Sequence, residues 1–383
     1  MTHAPLRVGI IGTGMIATAH VRAARDAGAV VIGVLGSRPE RSREAADSWG
    51  VATAWSDLDA LIADRPDVVH ICTPNNTHLD YAKAVTAAGL NIVVEKPVAT
   101  TVDDARELAD AVEQAGTVAT VPYVYRYHPL VREIRARRIS GALGQVLLVH
   151  GSYLQDWLMS PDASTWRVDP ATGGESRAFA DIGSHWADLA EFVSGERFTT
   201  LTASSSIAYP TRPVASGPSF SSGVGGERVE TRTEDIAVVT FRTDGGLLAN
   251  TVISQVSGGR KNRLWLEIDG SEQSAVFDQE QPDAVWFGSE TGATVLRRGE
   301  GAVSPDQARL NLTPAGHAQG WSDAFAAFLR DTYAAVRGEH PEGLPTIADG
   351  LRSVEIIDSF LRASRSGAWT DIAGVREHAE VTA

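Results

Sequence analysis

Five short stretches of this chain hold residue types whose spacing could do chemistry. In the first, Gly12-x-Gly14-x-x-Ala17 follows an apolar run (residues 6–11) and precedes a helical pattern to about Gly28. In such a strand–turn–helix context Gly12 permits the tight turn, Gly14 lets backbone approach a pyrophosphate, and Ala17 allows close helix–strand packing. The helix start at Met15 and Ile16 then offers free N–H groups and partial positive charge to phosphates. In the second, Gly36-Ser37-Arg38 closes the next strand. An NAD site usually has a carboxylate there for the ribose hydroxyls. None occurs before Glu40, so Ser37 and Arg38 can accept a 2′-phosphate, or Arg38 can stack on the adenine, which leaves NAD(H) and NADP(H) both open. In the third, Thr73-Pro74-Asn75-Asn76-Thr77-His78, Asn75 and His78 bracket a helix start at the same sheet end, although Asn75 or Asn76 would serve equally as a helix cap. In the fourth, Glu95-Lys96-Pro97, a lysine directly follows a buried strand, placed to meet cofactor and substrate; the plainer alternative is a solvated surface lysine. The fifth, Asp181-x-Gly183-x-His185-x-x-Asp188, opens a helix and sets its polar residues on one face at i, i+4 and i+7. An imidazole titrates near neutrality and can take the proton of a hydroxyl as hydride leaves its carbon. Taken singly, Asp181 is as well explained as an N-cap and His185 as a core histidine.

The elements that must position these residues fall into two kinds. Up to residue 121, buried-type strands (29–36, 68–72, 91–94, 118–121) alternate with helices (39–49, 57–64, 77–88, 101–114), the grammar of a doubly wound parallel sheet. Ligands bind such sheets at the carboxyl ends of the strands, where the first four stretches lie. Beyond Pro122 the pattern changes to long strands (145–155, 199–208, 234–243, 246–256, 264–269, 274–278). Turn signals Asp244-Gly245-Gly246 and Asp269-Gly270-Ser271 imply antiparallel hairpins. Helices are expected at 129–138, 181–193, 320–336 and 347–364. The fold class is therefore α/β, with a Rossmann domain over 1–125 and an α+β domain with an open, mostly antiparallel sheet over 126–383. Residues 204–227, rich in Ser, Gly and Pro, read as a loop, either a partial lid or plain surface.

Composition excludes several classes of function. The 383 residues, 43% hydrophobic and 21% charged, suit two soluble globular domains. A formal charge of −14, with no basic stripe, argues against nucleic acid as a partner. No signal segment and no run of membrane-spanning length is visible, and the single cysteine, Cys72, lies in a strand-like run and reads as a small buried hydrophobe. A cytoplasmic protein without a membrane partner is expected. The ten histidines show no spacing typical of metal ligands, so no metal is expected.

Taken in order and spacing, these motifs resemble the Gfo/Idh/MocA family (glucose–fructose oxidoreductase, inositol dehydrogenase, rhizopine catabolism) over nearly the whole chain. The resemblance implies nicotinamide-dependent oxidation of an alcohol and a catalytic set of Lys96, Asp181 and His185. His185 would be the acid/base, Lys96 would hydrogen-bond the reacting hydroxyl, and Asp181 would orient the substrate. Gly12, Gly14, Met15, Ile16, Ser37, Arg38, Thr73, Pro74, Asn75, His78, Glu95, Lys96, Arg126 and Trp166 are implied at the cofactor. Tyr125-Arg126-x-x-Pro129, Tyr153-x-Gln155-Asp156-Trp157 and Trp166-Arg167 look like the sugar-oxidising members. They imply Tyr125, Gln155, Trp157 and Arg167 at the substrate with Lys96, Asp181 and His185, and His317 beside them; Trp157 and Trp166 could equally be core. Aromatic faces suit the C–H patches of a polyhydroxylated ring, and Gln and Arg its hydroxyls. A sugar or cyclitol substrate is expected, with a homodimer or homotetramer formed through the open sheet. Other readings are a cofactor-binding regulator without turnover, or a dehydrogenase of a dihydrodiol or a nucleotide sugar, the last drawing on Arg167, Arg177 and Arg260.

Overall fold

The structure is a computed structural model that describes residues 4–214 and 227–374. Strand β1 (Arg7–Ile11) runs through the glycine turn into α1 (Met15–Asp26). There follow β2 (Val30–Leu35), α2 (Pro39–Trp49), β3 (Thr53–Ala54), α3 (Leu58–Ala63), β4 (Val68–Ile71), α4 (His78–Ala87), β5 (Asn91–Val94), α5 (Val102–Ala115) and β6 (Ala119–Thr120). All neighbours pair in parallel, in the order β3-β2-β1-β4-β5-β6. That is the strand order of the dinucleotide-binding fold, in which helices cover both sheet faces, which is why β4 and β5 are buried and largely apolar, with His70 in β4 and Asn91 at the start of β5 as exceptions. Local signals set the ends of the helices. Pro39 opens α2 and Gly50 stops it in the left-handed region, while Thr101 caps α5 by accepting the Asp104 N–H.

The second half holds α6 (Pro129–Ile139), β7 (Val146–Leu154), the single turn α7 (Pro170–Gly173), α8 (Ser184–Ser194), β8 (Phe198–Ser206), β9 (Thr211–Pro213), β10 (Arg228–Glu230), β11 (Ile236–Thr243), β12 (Leu248–Ser254), β13 (Arg263–Gly270), β14 (Ser274–Asp278), β15 (Ala284–Ser289), β16 (Gly292–Arg297), α9 (Pro305–Leu310), α10 (Trp321–Val336), α11 (Ile347–Ser366) and β17 (Thr370–Asp371). Among the described residues nine strands form one sheet, β16-β15-β14-β13-β7-β12-β11-β8-β17, in which the β7–β12 pair is parallel and the others antiparallel. One sheet face carries Val149, Phe241, Ile253 and Leu266 into a core shared with Trp186 and Phe360. The opposite face exposes Val238, Leu248, Val252 and Trp286.

Three features differ from the sequence expectations. The chain forms two compact units, Met1–Val124 with Ser322–Val354, and Tyr125–Trp321 with Glu355–Ala383. The return of α10 to the first unit was not foreseen: its Phe325 meets the His20 ring edge-on at 4.7 Å, and its Tyr333 stacks near His70. Secondly, β15 and β16 were not read from the sequence: β15 alternates and buries Val285 and Phe287, whereas β16 is a solvent-facing edge with no buried face to impose alternation. Thirdly, residues 204–206 complete β8 and 211–213 form β9, so the 204–227 segment is not wholly a loop; residues 215–226 of it lie outside the described residues.

Candidate active site

In the first unit the β1–α1 turn is built around close approach. Gly12 has φ +115°, and a Cβ there would fall 2.6 Å from the Cys72 carbonyl oxygen, so only glycine fits. A Cβ on Gly14 would meet nothing within 4 Å, and Gly14 and Met15 are exposed at the start of α1, whose cap makes no side-chain hydrogen bond. An open glycine shoulder beneath uncapped helix N–H groups fits a pyrophosphate. At the end of β2, Ser37 and Arg38 are exposed, and Glu40, the nearest carboxylate, pairs with Arg43 at 3.0 Å.

The turn after β4 is a short 3₁₀ segment, Asn75–Thr77, and the cap positions fall on Pro74 and Thr77 rather than on Asn75 or Asn76. His78 is fully buried. Its ring nitrogens lie 2.8 Å from the Pro97 carbonyl and 2.9 Å from that of Thr73, so it braces the Thr73–Pro74 turn against the Lys96–Pro97 turn. Burial holds the His78 imidazole below its usual range. Cys72 is buried and, as expected, behaves as a hydrophobe: burial, then the charge of Glu95, pushes its thiol well up. Lys96 follows β5 directly, joined to Pro97 by a cis peptide, and its backbone N–H donates to Glu95 Oε2 at 3.2 Å.

In the second unit Asp181 is not an N-cap. It lies within a π-helical turn, Phe179–Gly183, that runs into α8. A Cβ on Gly183 would fall 2.5 Å from the Phe179 ring, so the glycine admits the widened turn. Such π turns concentrate at functional sites. Gln255 Nε2 donates to Asp181 Oδ2 at 2.8 Å, and Arg167 Nε lies 3.6 Å from Oδ1. The Arg167 guanidinium sits 4.4 Å over the Trp166 ring, which ties both residues to Asp181. Asp188, on the next turns of α8, plays a different part. It takes two nitrogens of buried Arg126, which also lies over Phe192. Arg126 is thereby a brace inside this unit.

His185 meets the Tyr125 ring edge-on at 5.3 Å, with Tyr153 at 6.4 Å. Behind His185 runs a polar circuit. The two phenol oxygens are 2.6 Å apart, Tyr153 Oη donates to Asn262 Oδ1 at 2.7 Å, and Asn262 Nδ2 donates to Tyr125 Oη at 3.1 Å. With Tyr125 donating to Tyr153, each group donates once and accepts once around a closed ring. Gln155 Nε2 joins at Asn262 Oδ1 (2.9 Å), and Trp157 Nε1 donates to Gln155 Oε1 (2.8 Å). Burial pushes both phenols up, so they keep their protons at neutral pH. His317 is on an exposed loop, where its carbonyl accepts from Arg298.

Sequence reasoning missed Gln255 and Asn262. In the sheet, Leu154 pairs with Ser254 on one side and Arg263 on the other, so Gln155, Gln255 and Asn262 emerge together beyond one sheet end. An amide at the edge of each predicted strand was the available signal, but it needed the register. The same register gathers His150, Glu267 and Asp269 on the open face, with ligand-type atoms within 4.8 Å of one another. His150 Nε2 is 3.6 and 3.4 Å from the two carboxylates, a cluster that no sequence spacing announced. Among the described residues no helix is long and apolar enough to cross a membrane.

Residues 6–123 match the family profile of oxidoreductases with an NAD-binding Rossmann fold, and residues 131–276 match the GFO/IDH/MocA C-terminal domain. The chain belongs to the Gfo/Idh/MocA oxidoreductase family. It is 31% identical to the levoglucosan dehydrogenase of Pseudarthrobacter phenanthrenivorans over 390 residues, covering 96% of this chain and 98% of that protein. The fold is also that of a solved levoglucosan dehydrogenase in complex with NADH and L-sorbose (TM-score 0.88, 28% identity, 96% of this chain and 98% of that one). An inositol dehydrogenase homolog from Azotobacter vinelandii, complexed with NAD⁺, is similar at TM-score 0.82 and 26% identity, covering 96% of this chain and 97% of that one.

Proposed function

We propose that this protein is a dehydrogenase that oxidises a secondary alcohol of a monosaccharide, anhydrosugar, glycoside or cyclitol, using NAD(H) or NADP(H). The observation that carries the reading is the setting of Asp181 and His185, with Gln255 and Arg167 on the carboxylate and the Tyr125–Tyr153–Asn262 ring beside the imidazole. When bound, the nicotinamide accepts the hydride that leaves the substrate carbon. The residues do the rest. The His185 imidazole takes the hydroxyl proton, Lys96 hydrogen-bonds the same oxygen, and Asp181, held by Gln255, orients a neighbouring hydroxyl. Gln155, Trp157 and Arg167 are assigned to ring hydroxyls and C–H faces. The turn residues Gly12, Gly14, Met15 and Ile16, with Thr73, Pro74 and Asn75, are assigned to the cofactor. The exposed Ser37 and Arg38, with no free carboxylate before Glu40, favour acceptance of a 2′-phosphate.

A nucleotide sugar would need cations for its diphosphate. The arginines the sequence offers each hold a carboxylate already: Arg167 on Asp181, Arg177 on Asp235 and Arg260 on Glu280. A regulator without turnover would not need the assembled Asp181 and His185. The exposed apolar row on the open sheet face (Val238, Leu248, Val252) suits pairing with a second copy, as a homodimer or homotetramer.

Initial rates with a panel of sugars and cyclitols, run with NAD⁺ and with NADP⁺, test the proposal. Reduction of either cofactor with any panel member is expected. Tight cofactor binding with no reduction across the panel would overturn the dehydrogenase reading in favour of a regulator.

A further inference from the structure

Behind the Lys96 turn the first unit encloses a line of polar side chains that the chemistry above does not use. Glu95, His20, His70 and Tyr333 are all buried, and they come from the end of β5, from α1, from β4 and from the returning α10. His20 Nε2 lies 3.0 Å from Glu95 Oε1, His20 Nδ1 lies 3.0 Å from His70 Nδ1, and His70 Nε2 lies 3.2 Å from Tyr333 Oη. The other carboxylate oxygen, Glu95 Oε2, accepts the Lys96 backbone N–H.

The donor inventory gives this line a direction. A phenol must place its proton, a neutral imidazole has one donor and one acceptor, and an ionised carboxylate only accepts. Among the described residues Tyr333 Oη has no second acceptor, so it donates to His70 Nε2. His70 must then carry its proton on Nδ1 and donate to His20 Nδ1, and His20 must carry its proton on Nε2 and donate to Glu95. The line then ends on Glu95 Oε1 as an acceptor, which is the part an ionised carboxylate plays. Run the other way, it would protonate Glu95 and leave the buried Tyr333 hydroxyl without an acceptor, a loss that buried polar groups rarely bear.

We propose that Tyr333, His70 and His20 form a one-way hydrogen-bond line that holds Glu95 ionised and, through its carboxylate, positions the Lys96 turn; this rests on the reading of Lys96 as the group that meets the reacting hydroxyl. The surroundings agree. Burial, then the neighbouring His20, keeps the His70 imidazole well below its usual range, and burial raises the Tyr333 phenol, so the far end of the line does not give up its proton. The groups that feel the Glu95 charge are Cys72, whose thiol it raises, and His78, on which it opposes the effects of burial and of Lys96. His20, His70 and Tyr333 are positioning residues on this view, and α10 returns to the first unit carrying the fixed donor.

The test has two arms on the full-length enzyme. In the first, histidine ring nitrogens labelled with ¹⁵N are read by long-range proton–nitrogen correlation. His20 is expected as the Nε2–H tautomer and His70 as the Nδ1–H tautomer, His70 without titration near neutrality. Tyr333→Phe is expected to shift the His20 signals as well as those of His70. The opposite tautomers, a His70 ring that titrates near neutrality, or a His20 spectrum indifferent to Tyr333→Phe would overturn the line. In the second arm, His20→Leu is expected to lower kcat roughly 10-fold, as for loss of a hydrogen bond to a charged group, with KM for cofactor and sugar little changed. His20→Gln, whose amide can donate to Glu95, restores most of it. Equal losses in the Leu and Gln variants would reduce His20 to packing and sink the positioning role. Should His20→Leu fail to fold, Tyr333→Phe and His20→Gln still decide the matter. The reading of Lys96 fails separately: a fully active Lys96→Met enzyme with the expected tautomers would discard the catalytic lysine and keep the line.

Discussion

Replacing Asn262 by Ala tests whether the ring behind His185 is a built device or a packing accident. The substitution removes the bond from Tyr153 Oη (2.7 Å), the bond to Tyr125 Oη (3.1 Å) and the bond from Gln155 Nε2 (2.9 Å). The 2.6 Å contact between the phenols survives, so one buried hydroxyl loses its only remaining acceptor. At a net ~1 kcal/mol per bond the loss is about 3 kcal/mol. For a unit of this size that corresponds to a fall of about 6–12 °C in the midpoint of its thermal transition, read by scanning calorimetry. The Tyr125 ring also loses the bond that fixes its edge against His185, so kcat/KM on whichever sugar is turned over is expected to fall roughly 10- to 100-fold. Tyr153→Phe loses both of Tyr153's ring bonds but keeps the Asn262–Tyr125 and Asn262–Gln155 bonds, and it should lie between wild type and Asn262→Ala. A midpoint within about 1 °C of wild type, together with unchanged kcat/KM, would refute the reasoning, because the lost bonds would then be replaced by water at no cost.

Lys96→Met and His185→Ala should each abolish turnover while cofactor still quenches tryptophan fluorescence; wild-type-like rates in both would remove the acid/base assignment. Arg38→Ala should raise KM for NADP⁺ more than for NAD⁺, and equal changes would mean Arg38 reads the adenine or nothing. Asp235 is buried on Arg177 and Arg212, and although burial raises its carboxyl, Arg177 first and then Arg212 hold it below its usual range. Its stabilisation is therefore complete above the unfolded carboxylate pKa, near 3.9, and is lost as pH falls through the depressed folded value. Asp235→Asn should cost about 3–5 kcal/mol at neutral pH, and the gap to wild type in denaturant titrations should close only below about pH 4. A gap that instead changed between pH 6 and 8 would point to another group. Val238→Lys with Val252→Lys should shift the sedimentation-derived mass toward the monomer, and an unchanged mass would move any self-association off the open face.

How far the sequence reached can be judged from particular residues. The glycine turn, the parallel alternation and the ends of α2 and α5 were legible because they are local: a left-handed Gly50 or a capping Thr101 acts on its own few neighbours. Lys96, Asp181 and His185 were legible as residue types just past a strand end and near a helix start, which is how far spacing alone can carry chemistry. Their partners were not. Asn262 and Gln255 meet Tyr125 and Asp181 only because β7 lies between β12 and β13 in one register, a pairing across a hundred residues that no window of sequence contains. Likewise the π turn that takes Asp181 off the cap position depends on Phe179 filling the space that Gly183 leaves. By itself, then, the sequence determined the fold class and the nucleotide turn, because propensity, periodicity and glycine sterics are properties of neighbours in the chain, while the candidate acid/base residues came from motifs that resemble the family's. The tertiary structure decided which carboxylate each arginine holds, which amides complete the ring behind His185, and that a helix more than two hundred residues further on returns to lie beside His20 and His70. Those contacts carry the entropy of closing long loops, and only a completed core makes them worth forming.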